Sequence, residues 1–163
     1  MLDLTYHDMT PEDYEPLMAL ASDWVVVRQL GRWKWPADED QVRFFCKPYA
    51  GNGFLWTIKH GDTWAGRVGI TGGDLGYTLP RSVHGRGIAT QASIHAINHY
   101  FDTTDGDMIT GSTWIDNAPS QHILMKLGFV HWQTCYIRST ARGYPVQVRQ
   151  NRLTRQDWHA LRA

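Results

Sequence analysis

A chain of 163 residues, 42% apolar and 20% charged, is long and apolar enough to bury a full core, which excludes a disordered polymer. Sixteen basic residues balance sixteen acidic ones, so no global field argues for nucleic acid or an anionic membrane surface as a partner. Cys46 and Cys135 stand far apart without CxxC spacing and read as free thiols of a reducing compartment. No apolar run approaches membrane-spanning length, and Met1-Leu2-Asp3-Leu4 lacks the pattern of a signal peptide, so the expected location is cytoplasmic.

Residues 2–6 read as a first strand. Thr10-Pro11-Glu12-Asp13 then signals a helix start, with a hydroxyl N-cap, proline at the first helical position and acids in the first turn. Tyr14, Leu17, Met18 and Ala21 follow at helical spacing. Residues 24–30 either continue this helix or form a further turn of it, because Val25-Val26-Val27 is β-branched. Residues 31–36 form a loop carrying Trp33, Lys34 and Trp35, and residues 38–45 a second helix whose expected buried face is Val42 and Phe45, with Phe44 beside them. Trp33 and Trp35 are candidates to line a substrate cleft, although aromatic packing beneath a helical hairpin is the favoured account of them.

From Gly53 the period becomes strand-like. Residues 54–59 and 63–71 pair across His60-Gly61-Asp62, and Gly72-Gly73-Asp74 turns into a third strand over residues 75–79. That strand ends at Pro80 and passes through His84-Gly85-Arg86-Gly87-Ile88-Ala89-Thr90 into a helix running from about Gly87 to Phe101. Gly85 and Gly87 leave backbone N–H groups unshielded where a helix's first turn has unpaired donors, and Arg86 adds a full positive charge. Such a terminus attracts a phosphate, although an ordinary strand-to-helix turn has the same ingredients. The fingerprint of a dinucleotide-binding βαβ unit is incomplete, since Thr90 stands where a third glycine belongs.

The helix is expected to bury Ile94, Ile97 and Phe101 and to turn Gln91, His95 and Asn98 outward. His95 and His99 have zinc-ligand spacing, but Ala96 stands where a zincin carries glutamate and no third ligand is indicated. Residues 108–114 read as a strand, and Asn117-Ala118-Pro119 starts a helix with Ile123, Leu124 and Leu127 inward and Gly128 as its stop. Residues 130–139 and 146–153 form a long hairpin, and residues 155–161 a closing helix. No repeat or low-complexity tract interrupts this order, so residues 1–163 are expected to form one continuous α/β domain.

Three stretches taken together carry a resemblance: Gly76-Tyr77-Thr78-Leu79-Pro80, the glycine loop, and Asn117…Ser120…Lys126-Leu127-Gly128-Phe129. In these, and in the order of elements along nearly the whole chain, the sequence resembles the GNAT N-acetyltransferases, in particular the branch of the ribosomal-protein acetyltransferases RimJ and RimL. The resemblance implies an α+β fold with a mixed, mostly antiparallel sheet of about seven strands, whose fourth and fifth strands splay into a V holding acetyl-CoA. It implies that His84, Gly85, Arg86, Gly87, Ile88, Ala89 and Thr90 hold the pyrophosphate through backbone N–H groups. Leu79 would pair its backbone with the pantetheine arm and serve as the oxyanion donor, while Asn117 and Ser120 would contact the pantetheine and thioester end. Two positions depart from the family pattern: His84 replaces the usual arginine, glutamine or tryptophan, and Leu124 stands where many members carry a tyrosine acid, which leaves Ser120 as the thiolate partner.

The implied reaction is direct attack of a neutral amine on the thioester. An α-amine with a pKa of about 8 is roughly a tenth neutral at pH 7, whereas a lysine amine at about 10.4 is almost wholly charged. No carboxylate is convincingly placed as a base from the sequence; Asp74, Asp116 and Tyr77 are candidates, Tyr77 also for substrate binding. The expected acceptor is therefore a protein or peptide N-terminal α-amine. A small amine (aminoglycoside, polyamine or amino sugar) and a non-catalytic acyl-CoA-binding module are the alternatives, and the sequence is compatible with a monomer or a homodimer.

Overall fold

The computed structural model describes residues 1–163 and builds one seven-stranded sheet. The strands are β1 (Leu4–Asp8), β2 (Gly53–His60), β3 (Thr63–Thr71), β4 (Asp74–Thr78), β5 (Met108–Trp114), β6 (Val130–Arg138) and β7 (Pro145–Thr154). Their spatial order is β1-β2-β3-β4-β5-β7-β6, antiparallel at every junction except β4–β5. That one parallel junction consists of a single pairing, Asp74 with Thr110, after which the two strands diverge. The expected V is present, and the sheet is mostly antiparallel as the resemblance implied.

Alternation along the strands divides the sheet into two faces. Ile58, Val68, Ile70 and Leu75 point to one face, where α4 (Ile88–Thr103), α5 (Ala118–Lys126) and α6 (Arg155–Ala160) supply Ala92, Ile97, Leu124 and Trp158 to the larger core. Thr57 and Arg67 point to the other face. There Met9, α1 (Tyr14–Ala21), α2 (Trp24–Val27) and α3 (Glu39–Phe45) enclose a second core of Leu17, Leu20, Val27, Val42 and Cys46. No helix is long and apolar enough to cross a membrane.

Several boundaries shift for identifiable reasons. The first strand starts at Leu4 and runs to Asp8, in register with β2. Pro11–Asp13 is a single 3-10 turn leading into α1, with the buried Asp13 carboxylate accepting from Thr10 N–H at 2.8 Å. The Val25-Val26-Val27 run is a separate one-turn helix, because the Asp23 side chain accepts from Val25 N–H and restarts the ladder. On α3, Val42 is buried but Phe45 only partly so, and Phe44 is 65% exposed. Along α4 the residues meeting the sheet are Ala92, Ser93 and Ala96 with Ile88, Ile97 and Phe101, while Ile94 is half-buried. Small side chains let this helix approach the strands closely, which rotates Ile94 to the flank.

Gly66 shapes the arm of the V. The β2–β3 register slips between Ile58 and Lys59, so Ala65 is an extra residue and Gly66 adopts φ +130° beside the end of β4. A Cβ there would press on the Thr78 carbonyl oxygen and approach Leu79 Cα to 3.0 Å. Backbone strain and overpacking each cost about 1–3 kcal/mol. Gly66→Ala is therefore expected to lower Tm by roughly 5 °C or more in a calorimetric melt, whereas Gly61→Ala, at φ +58° with open space around it, changes Tm less.

Candidate active site

The glycine loop folds into a cradle of backbone donors. Val83 N–H and His84 N–H bond back to Pro80 and Arg81, closing a 3-10 turn over Arg81–Val83, and the next amide to find an acceptor is Gln91 N–H, on Gly87 O at 3.0 Å. The six N–H groups from Gly85 to Thr90 therefore donate to nothing in the chain. Gly85 and Gly87 hold φ +74° and +78°, and a Cβ added to either would meet no atom within 4 Å. Gly87 is the N-cap of α4 without a side-chain cap, so the dipole of a 16-residue helix ends in open, uncapped donors. This arrangement fits an anion with several acceptor oxygens. Ile88 contributes only its backbone, since its side chain is buried in the core; Arg86 is exposed and forms no ion pair.

His84 has a structural task that its position alone did not reveal. Its Nε2–H donates to Leu79 O at 2.9 Å, tying the loop to the end of β4. Leu79 N–H donates to no group of the chain. The peptide after Leu79 is thus anchored through its carbonyl, and the peptide before it offers an N–H donor beside the V. Leu79 itself lies just beyond β4, which ends at Thr78.

Across the V the structure brings Tyr77 and Ser120 together. Asn117 is the N-cap of α5 and its Oδ1 accepts from Ser120 N–H at 3.3 Å, which leaves its amide nitrogen for another partner. The Tyr77 hydroxyl lies 2.6 Å from Ser120 Oγ, either of which can donate. Burial pushes the Tyr77 phenol up to about 12, opposed by its bond to Ser120, so it keeps its proton through the neutral range. Leu124 is buried in the larger core and offers no proton, as its residue type requires.

On the opposite face of the sheet, the other candidates separate. Trp33 is a core residue, 5% exposed, with its ring over the buried Arg67 guanidinium at 5.0 Å; it lines no cleft. Trp35 is exposed and packs on Trp24 at 5.1 Å between ring centroids. Asp116 is fully engaged: Arg142 donates to both its oxygens at 2.9 Å and Arg28 to one at 2.8 Å. The Arg142 bonds hold its carboxyl below the ordinary range, which suits an ion pair and not a base. Asp74 is different. Its only bond is from Thr110 Oγ1 at 2.8 Å, and burial pushes its carboxyl up, against the pull of Thr110 and of Arg32.

Arg142 is the residue that sequence reasoning missed. Its side chain, 5% exposed, also donates to Arg28 O and Gln29 Oε1, so it ties the β6–β7 hairpin to α2 and to the loop entering α5. No motif surrounds it in the sequence. His95 and His99 belong to an aromatic group with Tyr6, Phe54 and Trp56, and no cluster of three or more metal-ligating side chains exists.

Residues 3–130 match the family model of the acetyltransferase (GNAT) domain. No curated protein matches the chain by sequence. Among solved structures, the spermidine N-acetyltransferase from Vibrio cholerae in complex with CoA and spermine superposes with a TM-score of 0.80 at 13% identity, covering 96% of this chain and 98% of that one. RimL, the ribosomal L7/L12 α-N-protein acetyltransferase in complex with coenzyme A, gives 0.77 at 16% identity over 93% and 94%. The microcin C7 self-immunity acetyltransferase MccE, in complex with acetyl-CoA and AMP, gives 0.78 at 16% over 93% and 92%. At these identities the likeness is one of fold.

Proposed function

The chain belongs to the GNAT acetyltransferase family, and from that premise we propose that it acetylates an α-amine, that of a peptide or protein N-terminus in the manner of the RimJ/RimL branch. It is an N-acetyltransferase with acetyl-CoA as co-substrate. The observation that carries the reading is the V at the single Asp74–Thr110 pairing, with six uncommitted backbone donors at its mouth and the Tyr77–Ser120 pair across it.

Acetyl-CoA supplies an activated thioester; the residues of this chain hold, orient and exchange protons. The N–H groups from Gly85 to Thr90 receive the pyrophosphate, with Arg86 adding charge. Leu79 N–H is the donor for the oxygen on which negative charge develops, and its carbonyl is held by His84 so that the donor does not swing. Ser120 faces the leaving sulfur, with its hydroxyl polarised by Tyr77. Asn117 fixes the start of α5, and its uncommitted amide nitrogen would donate to the pantetheine. With Asp116 committed to two arginines, Asp74 at the β4–β5 pairing is the half-buried sequence candidate whose carboxylate forms no ion pair. A single carboxylate suits an amine that is already partly neutral and suits a polyamine poorly. Residues 1–163 act as one domain in this reading.

The test is release of CoA thiol from acetyl-CoA against a panel of peptides, lysine side-chain amines, polyamines and aminoglycosides. Peptides with a free α-amine are expected to turn over, and the same peptides blocked at the N-terminus to be silent. Turnover confined to polyamines or aminoglycosides would overturn the acceptor assignment. Silence with every amine, despite CoA binding, would overturn the enzyme reading.

A further inference from the structure

The face of the sheet opposite α4 contains a cavity of about 370 Å³ beside the β4–β5 pairing. Arg32, Asp74, Thr110, Ser112, Trp132 and Gln150 line it. It sits where β4 and β5 part, so it adjoins the V from the side away from the glycine loop. Gly76 follows Asp74 by two residues on the same face of β4; it is exposed, and a Cβ there would meet nothing within 4 Å. A volume near the lower end of the roughly 300–1,000 Å³ usual for small-molecule sites accommodates one or two residues of a ligand.

The chemistry of the lining is unusual in one respect. Asp74 has one oxygen held by Thr110 Oγ1 and the other free, and it forms no ion pair. Arg32, reaching in from the loop after α2, forms no ion pair either; its backbone is fixed by Gln41, which donates to Arg32 O at 3.1 Å and, through Oε1, accepts from Lys34 N–H at 2.9 Å. One carboxylate and one guanidinium therefore line the same polar space without forming an ion pair, although the Arg32 charge draws the Asp74 carboxyl down. The Thr110 and Ser112 hydroxyls, the Gln150 amide and the indole of Trp132 share the lining. A polyamine would satisfy Asp74 but oppose Arg32; a neutral primary amine would leave Arg32 unused. An ammonium and a carboxylate separated by a few bonds satisfy both.

We propose that this cavity is a ligand subsite beside the V and that it selects an α-amine with a carboxylate beside it, the ammonium on Asp74 and the carboxylate on Arg32. It stands apart from the attacked carbonyl, because Asp74 precedes Leu79, the proposed oxyanion donor, by five residues of extended strand, about 15 Å. The same chemistry comes from two sources, a free amino acid or a polypeptide whose first residue is acidic. Arg32 recognises the carboxylate as a planar fork, so the preference is geometric as well as electrostatic.

Binding decides the matter without turnover. Calorimetric titrations of the CoA-saturated protein would use two matched pairs, L-alanine with L-alaninamide and the peptide amides Asp-Ala-Ala with Asn-Ala-Ala, and spermidine. In at least one pair the acid is expected to bind about tenfold tighter than its amide, and which pair responds identifies the source. Arg32→Gln is expected to erase that ratio, and Asp74→Asn to weaken both members alike. Both variants are checked for an unchanged melting transition, and Arg32→Lys is expected to keep part of the preference. Equal binding of acid and amide in both pairs, a ratio untouched by Arg32→Gln, spermidine as the tightest ligand, or no binding by any probe overturns the proposal. Turnover of α-amines together with equal binding of acid and amide sinks this subsite alone and leaves the enzyme reading standing. An acid preference in binding without thiol release from any amine upholds the subsite and sinks the enzyme reading.

Discussion

Gly87→Glu is expected to weaken CoA binding about a hundredfold, roughly 2.7 kcal/mol, with only a modest loss of stability. Gly87 sits at φ +78° and ψ 0° as the N-cap of α4, so any L side chain there costs about 1–2 kcal/mol in backbone strain. It costs no packing, because no atom lies within 4 Å of an added Cβ. The glutamate would extend into the space above the uncommitted N–H groups and occupy the helix terminus as an internal anion. A pyrophosphate would then meet a like charge in place of a donor cradle. Two controls separate the contributions: Gly87→Asn tolerates the left-handed region and adds no charge, and Gly87→Ala adds strain without charge. Dissociation constants for CoA, measured by calorimetry on proteins with intact melting transitions, are expected to rise least for asparagine, next for alanine and most for glutamate. Wild-type affinity in a folded Gly87→Glu protein would remove the loop from the cofactor site.

The local punctuation of this fold was legible because it is local physics. Thr10-Pro11, Asn117-Ala118-Pro119 and Gly128 begin or end elements where capping groups, a fixed φ or a free one require it. The break at Asp23 was harder, since a side-chain cap competes there with an uninterrupted apolar run. The V was legible only through the family resemblance: hydrophobic alternation in β4 and β5 is the same whether two strands share one pairing or five. Contacts made across it were out of reach for the same reason. Tyr77 and Ser120 are 43 residues apart, and Arg142 stands 114 residues from the Arg28 carbonyl it holds. Trp33 shows what a local reading leaves open. Aromatic packing accounts for it better than a place in the cleft, but the partner is out of view: Arg67 on β3 lies over the buried indole, which covers its charge. Its burial lowers the Arg67 pKa to about 10, which leaves it charged at neutral pH. Phe44 and Phe45 are adjacent on a seven-residue helix, too short for periodicity to say which faces inward.

The second large effect concerns the pair inside the V. Ser120→Ala and Tyr77→Phe are each expected to lower kcat by about one to two orders of magnitude, the range of a displaced proton donor, while the dissociation constant for CoA changes little. The 2.6 Å separation places the two hydroxyls in one hydrogen bond, and the phenol, pushed up to about 12, keeps its proton through the neutral range. With Tyr77 O–H donating to Ser120 Oγ, the serine's own hydrogen is left for another acceptor, which in the proposed mechanism is the leaving sulfur; without Tyr77 the hydroxyl rotates freely. The two residues therefore act as one device, and a double-mutant cycle reads this directly. The Tyr77→Phe/Ser120→Ala protein is expected to be no slower than the slower single variant, since removing either member already disables the pair. Losses that multiply would mean two independent roles. Wild-type kcat in Tyr77→Phe would mean that Ser120 works alone, and wild-type kcat in Ser120→Ala would take the pair out of the mechanism. The pH profile adds a separate check. Because Tyr77 titrates only near pH 12, no limb of the wild-type rate profile between pH 6 and 9 belongs to it, and Tyr77→Phe is expected to lower the whole profile without moving its midpoints.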